Sequence, residues 1–86
     1  MLRVFFHPRA KKDLLRLPKK IRLAVLDELE ALEKHNHPLQ HRNVIKLSGS
    51  SRKDFRLRVG SYRVKFTLRD THKVFITSVD HRQAGY

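Results

Sequence analysis

The spacing of apolar residues changes once along this chain, and that change constrains the fold more than any other feature. Between Pro8 and Asn36, apolar residues recur at the three- and four-residue intervals of a helix face. From Phe55 onward they alternate with polar residues, which is typical of strands with one buried face. The sequence therefore predicts helices followed by strands in an α+β domain.

Two helices are predicted in the first half of the chain. Pro8 suits the first turn of a helix, and Ala10, Leu14 and Leu17 follow it at helical spacing. Pro18 ends this helix and can begin the next one. The apolar stripe of the second helix consists of Ile21, Val25, Leu29 and Leu32. One continuous stripe on each helix predicts that both pack on the same apolar surface.

Strands are predicted before and after the helices. Residues 2–6 predict a first strand, and residues 35–53 look like a connector. Residues 55–59, 62–68 and 74–79 predict three more strands, with turns at Gly60 and Ser61 and at Asp70 and Thr71. The predicted order is β-α-α-β-β-β, with the two helices packed on an antiparallel sheet. We expect residues 1–86 to form a single domain.

The two central strands carry basic residues at their polar positions. These residues are Arg56, Arg58, Arg63 and Lys65. Alternation places all of them on one exposed surface, within cross-strand reach of one another. Because a guanidinium group can bind phosphate through two hydrogen bonds, this surface is a candidate phosphate-binding site. A solvated strand face with charged edges is the alternative explanation of the same pattern.

The charge of the chain also indicates a polyanionic partner. Twenty Lys and Arg against eight Asp and Glu give a formal net charge of +12. Residues 41–86 contribute eleven basic and three acidic side chains, so the excess is concentrated in the second half. Such an excess favours binding to RNA, DNA, an anionic membrane or an acidic protein.

Several classes of protein are excluded or disfavoured by composition. The chain has no cysteine, which excludes disulfides and thiolate chemistry. No apolar run approaches the roughly 20 residues that a membrane span needs, and residues 1–7 do not resemble a signal peptide. We therefore expect a cytoplasmic protein that does not act at a membrane, and we expect it to need no metal or cofactor.

The last residues bring chemically useful groups together beyond the final strand. His81, Arg82 and Tyr86 follow it within a short segment that could fold beside the basic surface. Histidine transfers protons near neutral pH, arginine stabilises charge on phosphate, and tyrosine can act as an acid or base among cations. These are the parts for metal-free cleavage of RNA through its own 2′-hydroxyl. A frayed chain terminus is the alternative explanation.

Four stretches of the sequence, taken in order, form a recognisable pattern. They are RAKKDLLRLPKKIRLAVLDELEAL in the helical region, KLSG before the central strands, DFRLRVGSYRVKF over those strands, and SVDHRQAGY at the end of the chain. Together they resemble the RelE/ParE toxins of prokaryotic toxin–antitoxin pairs. The first stretch looks like that family's two-helix hairpin, the third is similar to its strand, Gly, Tyr-Arg and strand pattern, and the last resembles its closing strand and tail.

The resemblance implies a ribosome-dependent mRNA endonuclease that a cognate antitoxin neutralises. It implies a reaction in which the 2′-hydroxyl attacks the adjacent phosphate. By position in the motifs, the expected catalytic residues are Arg63, His81, Arg82 and Tyr86. The expected phosphate-binding residues are Lys46, Arg56, Arg58 and Lys65. The ribosome, mRNA and an acidic antitoxin that wraps the toxin are the expected partners.

The sequence departs from the RelE pattern at two strand positions, and two other functions remain open. Arg56 and Arg58 stand where RelE has lysines, which preserves phosphate binding and puts acid catalysis from those positions in doubt. A ParE-like member would inhibit DNA gyrase instead of cutting RNA. A non-catalytic RNA-binding or ribosome-binding module would use the same basic surface without cleavage.

Other conspicuous residues are expected to be structural. His35, His37 and His41 have a spacing that can suggest zinc, but the segment lacks a fourth ligand of the right type. Tyr62 shares the parity of the buried strand positions. The phenylalanines are expected in the core and not in a stacking surface; they are Phe5, Phe6, Phe55, Phe66 and Phe75.

Overall fold

The computed structural model describes residues 1–47 and 54–81, and within them two helices cover one face of a five-stranded sheet. The strands are β1 (Arg3–Phe6), β2 (Val44–Lys46), β3 (Asp54–Val59), β4 (Tyr62–Arg69) and β5 (Lys73–His81). The helices are α1 (Pro8–Arg16) and α2 (Lys19–Glu33), and a short 3₁₀ helix spans Pro38–Gln40. The turn-like centre of the predicted connector, residues 48–51, lies outside the described residues.

The sheet confirms the predicted α+β class and refines it in two ways. Its strand order is β1-β5-β4-β3-β2. Strand β1 runs parallel to β5, so the sheet is mixed and not purely antiparallel. Strand β2 forms inside the segment predicted as connector and pairs antiparallel with β3. Three residues are too few for alternation to show in a sequence, which is why this strand was missed.

Proline and histidine define the start of α1. Pro8 occupies the first turn, where the amide hydrogen that proline lacks is not needed. The His7 Nδ1 atom accepts a hydrogen bond from the backbone N–H of Arg9, at 3.1 Å. The helix ends at Arg16, and Pro18 precedes the first turn of α2. The predicted break between the two helices is therefore confirmed.

The core lies between the helices and the inner face of the sheet. Helix α2 buries the predicted stripe residues Val25, Leu29 and Leu32, while Ile21 is half-buried. The rings of Phe55 and Phe66 stack with their centroids 5.4 Å apart. The sheet contributes Val44, Phe55, Leu57, Val64, Phe66, Leu68, Val74, Ile76 and Val79. Burial of these alternating positions forces the intervening strand residues onto the other face of the sheet.

Two acidic side chains of the helices hold the strands by backbone hydrogen bonds. Asp13 of α1 accepts one from the N–H of Val79, at 3.2 Å, through Oδ2. Glu33 of α2 accepts one from the N–H of Val4, at 3.0 Å, through Oε2. These bonds fix α1 against the end of β5 and occupy the outer edge of β1. No helix within the described residues is long and apolar enough to cross a membrane.

Both predicted turns have left-handed backbone. Gly60 has φ +59° in the turn between β3 and β4, where glycine carries no steric penalty. Asp70 and Thr71 have φ of 53° and 64° in the turn between β4 and β5. The β3–β4 turn sets the pairing of the two strands that carry the basic residues.

Candidate nucleic-acid interface

The register between β3 and β4 brings the predicted basic residues together in two pairs. Arg56 lies opposite Lys65, and Arg58 lies opposite Arg63. Their neighbours along the strands, including Leu57 and Val64, are buried against the helices, so the four cations share the face that the helices leave uncovered. We call this surface, defined by Arg56, Arg58, Arg63 and Lys65, the cationic face.

Strand β5 adds one polar residue beside each of these two cross-strand pairs. Ser78 lies opposite Lys65, and Asp80 lies opposite Arg63. A carboxylate beside an arginine can orient the guanidinium group and partly offset the repulsion among four neighbouring cations. The sequence pattern did not indicate either residue, because Ser78 lies in a predicted strand, residues 74–79, whose apolar residues fall on both faces, and Asp80 lies beyond the end of that predicted strand.

A bulge in β5 produces this arrangement. Phe66 pairs with Ile76 but Lys65 pairs with Ser78, so Thr77 is an extra residue on its strand. The Thr77 hydroxyl donates a hydrogen bond to the carbonyl oxygen of Lys65, at 3.2 Å. Without the extra residue, the alternation would reverse and Val79 would leave the core. The bulge therefore keeps Val79 buried and places Asp80 beside Arg63.

A concavity of about 680 Å³ lies beside the cationic face and shares Lys65 with it. The polar residues that line it come from the two central strands and the bulge: Asp54, Lys65, Thr67, Arg69 and Thr77. Leu47 also lines it. The concavity continues from Lys65 along β4 towards Arg69.

Two phenylalanines lie on this face and not in the core, contrary to the sequence expectation. Phe5 and Phe75 are partners in the β1–β5 register, and their rings stack with centroids 5.2 Å apart. Both are half-buried. Phe55 and Phe66 are buried as predicted, and Phe6 packs against the core from its edge. Sequence alone could not separate these roles, because the parallel docking of β1 decides which face Phe5 takes.

The structure does not bring Lys46 and His81 onto the cationic face. Lys46 lies opposite Phe55, so it has the parity of the inner face and is exposed at the edge strand β2. His81 lies opposite Tyr62, and the two rings meet edge to face with centroids 5.0 Å apart. His81 therefore has the parity of the inner face, like Val79, and lies at the end of the sheet. Arg82 and Tyr86 lie outside the described residues.

The three histidines of the connector make local structural contacts. His41 is buried, and its Nε2 atom lies 3.1 Å from a carboxylate oxygen of Glu28. His37 accepts a hydrogen bond from the N–H of Leu39 and caps the start of the 3₁₀ helix, while the His35 ring meets the His41 ring edge to face. Within residues 1–47 and 54–81, no three His, Asp or Glu side chains are grouped so that they could hold a metal ion.

Comparison with known families identifies this combination of fold and motifs. The family model for the ParE toxin of type II toxin–antitoxin systems, parDE, matches residues 4–86. The chain belongs to this family. The predicted RelE/ParE resemblance is therefore confirmed over nearly the whole chain. No curated protein sequence matches it.

Solved structures of RelE toxins share the fold of this family member. A chain of the RelE–RelB complex from Pyrococcus horikoshii OT3 is 30% identical, with TM-score 0.77 and coverage of 94% of each chain. A chain of the RelBE2 toxin–antitoxin complex from Mycobacterium tuberculosis is 32% identical, with TM-score 0.73 over 92% of this chain and 95% of that one. A chain of the RelB–RelE complex from Methanococcus jannaschii is 25% identical, with TM-score 0.78 over 94% and 93%.

Proposed function

We propose that this toxin is an mRNA endonuclease that cuts RNA presented by the ribosome and thereby stops translation. The observation that carries the proposal is the pairing of Arg56 with Lys65 and of Arg58 with Arg63 on the uncovered sheet face. Four cations in two adjacent rows of one sheet face favour the binding of a polyanionic backbone such as that of RNA. The similarity to RelE chains at 30% and 32% identity supports the same assignment.

The cationic face supplies positioning and charge stabilisation in the proposed reaction. Arg56, Arg58 and Lys65 bind backbone phosphates on either side of the cut. Arg63, with Arg82, holds the scissile phosphate and stabilises the negative charge that develops on it. The 2′-oxygen attacks phosphorus, the bond to the 5′-oxygen breaks, and the products are a 2′,3′-cyclic phosphate and a 5′-hydroxyl. Lys46, exposed at the sheet edge, contributes to longer-range attraction of the backbone.

Proton transfer is assigned to the end of the chain. Tyr86 or His81 takes the proton from the 2′-hydroxyl, and His81 is the better candidate to protonate the leaving 5′-oxygen. His81 is the last residue of β5 and directly follows Asp80. Because His81 has the parity of the inner face, it can reach the cleavage site only around the end of the sheet. Ribosomal positioning of the RNA supplies much of the remaining rate enhancement.

Control by an acidic antitoxin in the cytoplasm completes the proposal. The RelE chains of the archaeal and mycobacterial structures were crystallised in toxin–antitoxin complexes. A net charge of +12 on 86 residues favours an acidic partner that covers the cationic face. An antitoxin segment that orders as it wraps the toxin would inhibit by shielding these arginines or displacing the tail.

The test compares one mRNA in two states, bound to ribosomes and free in solution, with purified toxin added to each. The proposal predicts cleavage of the ribosome-bound mRNA, and its loss in Arg82→Ala and Tyr86→Ala variants that remain folded. Absence of cleavage from a folded toxin that still binds ribosomes would instead favour a non-catalytic binding module.

A second function is favoured by the family description itself. The matching family is named for the ParE toxin, and resemblance to ParE implies inhibition of DNA gyrase. Under this alternative, the cationic face binds the enzyme or its DNA, and no RNA is cut. Inhibition of gyrase supercoiling by the purified chain, without any cleavage of ribosome-bound mRNA, would establish it.

A further inference from the structure

Two stacked phenyl rings with a guanidinium group at each end form a row across β1, β5 and β4, beyond the cationic face. The Arg3 guanidinium carbon lies 5.5 Å from the Phe5 ring centroid, and that of Arg69 lies 4.8 Å from the Phe75 centroid. Phe5 and Phe75 stack on each other with their planes 21° apart. We call these four residues, Arg3, Phe5, Phe75 and Arg69, the aromatic ladder.

The aromatic ladder lies on the same face of the sheet as the proposed cleavage site. Phe75 is the partner of Thr67 on β4, and Thr67 is the partner of Asp54 on β3. Thr67 and Arg69 also line the 680 Å³ concavity that begins at Lys65. A continuous surface thus joins the cationic face to the aromatic ladder. Arg63 and Arg69 are six residues apart on β4, or roughly 20 Å at the rise of a strand.

Stacking on a ring orders the side chains of Arg3 and Arg69. A guanidinium group that lies over a ring still presents its N–H donors along the edge of the guanidinium plane, and the ring limits the conformations that the long side chain can adopt. Both arginines are exposed, and within the described ranges neither forms an ion pair with an acidic side chain. They are therefore pre-organised donors that have no anionic partner in the described part of the protein.

We propose that the aromatic ladder is a second RNA-binding subsite, which holds backbone phosphates several nucleotides from the cleavage site. Arg3 and Arg69 bind the phosphates, while Phe5 and Phe75 hold the two guanidinium groups in place. Cations at both ends of one concave face favour an extended polyanion over a compact ligand. This inference rests on the proposed action on RNA and adds the path that the strand takes across the sheet.

The first test measures equilibrium binding of a fluorescent single-stranded oligonucleotide with 2′-deoxy sugars, which cannot be cut, over a range of salt concentrations. The double variant Arg3→Gln/Arg69→Gln should bind about tenfold more weakly at low salt. Loss of two phosphate contacts should also reduce the slope of log affinity against log salt by about 1.4, at roughly 0.7 per contact for a single strand. The matched control, Arg9→Gln/Arg16→Gln, removes the same charge from exposed positions on α1.

Equal effects of the two double variants would overturn the subsite, because affinity would then depend only on total charge. Failure of the wild-type chain to bind the oligonucleotide at low salt would overturn it as well. If the ladder variant left oligonucleotide binding intact but weakened binding of the acidic antitoxin, the surface would be a protein interface and the proposal would be wrong.

A second pair of variants tests the role of the rings. Phe75→Tyr keeps the ring under Arg69 and should keep the affinity. Phe75→Leu removes the ring but no charge, so it should weaken binding several-fold with an unchanged salt slope. Equal affinity in both variants would contradict the positioning role. Oligonucleotide binding is measured without cleavage, so the subsite can stand even if the ribosome assay shows no nuclease activity.

Discussion

At the scale of single residues, Arg63 has the most demanding position in the proposed site. It is half-buried, lies between Arg58 and Asp80 in one row of the sheet, and follows the turn at Gly60 by three residues. These constraints limit the directions in which its side chain can extend. Its role should therefore depend on the shape of the guanidinium group as well as on its charge.

Substitution of Arg63 tests that dependence. Arg63→Gln should lower the rate of cleavage of ribosome-bound mRNA by about 10²-fold or more, because a donor aimed at developing charge is lost. Arg63→Lys keeps the charge without the planar fork and should fall between Gln and wild type. Arg16→Gln, an exposed control on α1, should cut at the wild-type rate. Full activity of a folded Arg63→Gln variant would exclude the residue from the site.

Gly60 offers a separate test of the turn that pairs the two basic strands. Its φ of +59° is unfavourable for most residues, yet a Cβ atom there would meet no atom within 4 Å. Gly60→Ala should therefore destabilise the protein by about 1 kcal/mol through backbone strain alone. Gly60→Asn should cost less, because asparagine tolerates left-handed backbone. Thermal unfolding of the two variants measures the difference, and equal melting temperatures would contradict this explanation.

At the scale of elements, the contact between α1 and β5 determines where the end of the sheet lies. Asp13 accepts the hydrogen bond of the Val79 N–H just after the bulge at Thr77. Asp80 and His81 follow directly, and Arg82 comes next in the sequence. A helix side chain therefore holds the strand segment that leads into the proposed proton-transfer residues.

Removal of the Asp13 carboxylate should loosen that segment. Asp13→Ala leaves the Val79 N–H without its partner and should lower the free energy of unfolding by about 1–3 kcal/mol. Asp27→Ala removes an exposed carboxylate from α2 and should change it by less than about 0.5 kcal/mol. Chemical denaturation of both variants provides the comparison. Equal free energies of unfolding for the two variants would show that the Asp13 hydrogen bond does not stabilise the protein.

The sequence predicts the longer elements but not how distant elements pack together. Long periodic segments predicted α1, α2, β3 and β4, and with them the shared face of Arg56 and Arg63. Residue spacing carries this information directly, since burial of one face fixes the other. The parallel docking of β1, the short β2 and the bulge at Thr77 depend on contacts between distant segments. Local patterns do not encode such contacts, so the half-buried pair Phe5 and Phe75 was placed in the core.

At the scale of the whole molecule, the two faces of the sheet differ in their chemistry. The helices cover the apolar face, and Arg56, Arg58, Arg63 and Lys65 lie on the other face. Concentration of positive charge on one face speeds and orients the approach of a polyanion, and the effect weakens as salt rises. The same concentration costs self-repulsion in the free protein, which an acidic antitoxin would relieve on binding.

The nuclease function is tested most directly by cleavage of ribosome-bound mRNA that carries a single 2′-deoxy nucleotide at the mapped cutting position. Wild-type toxin should cut the all-ribose mRNA to a 2′,3′-cyclic phosphate and a 5′-hydroxyl, and the 2′-deoxy mRNA should resist cleavage at that position. Cutting of the 2′-deoxy mRNA at the same bond would contradict the proposed chemistry. Failure to cut either mRNA, by toxin that is folded and released from its antitoxin, would contradict the nuclease function itself.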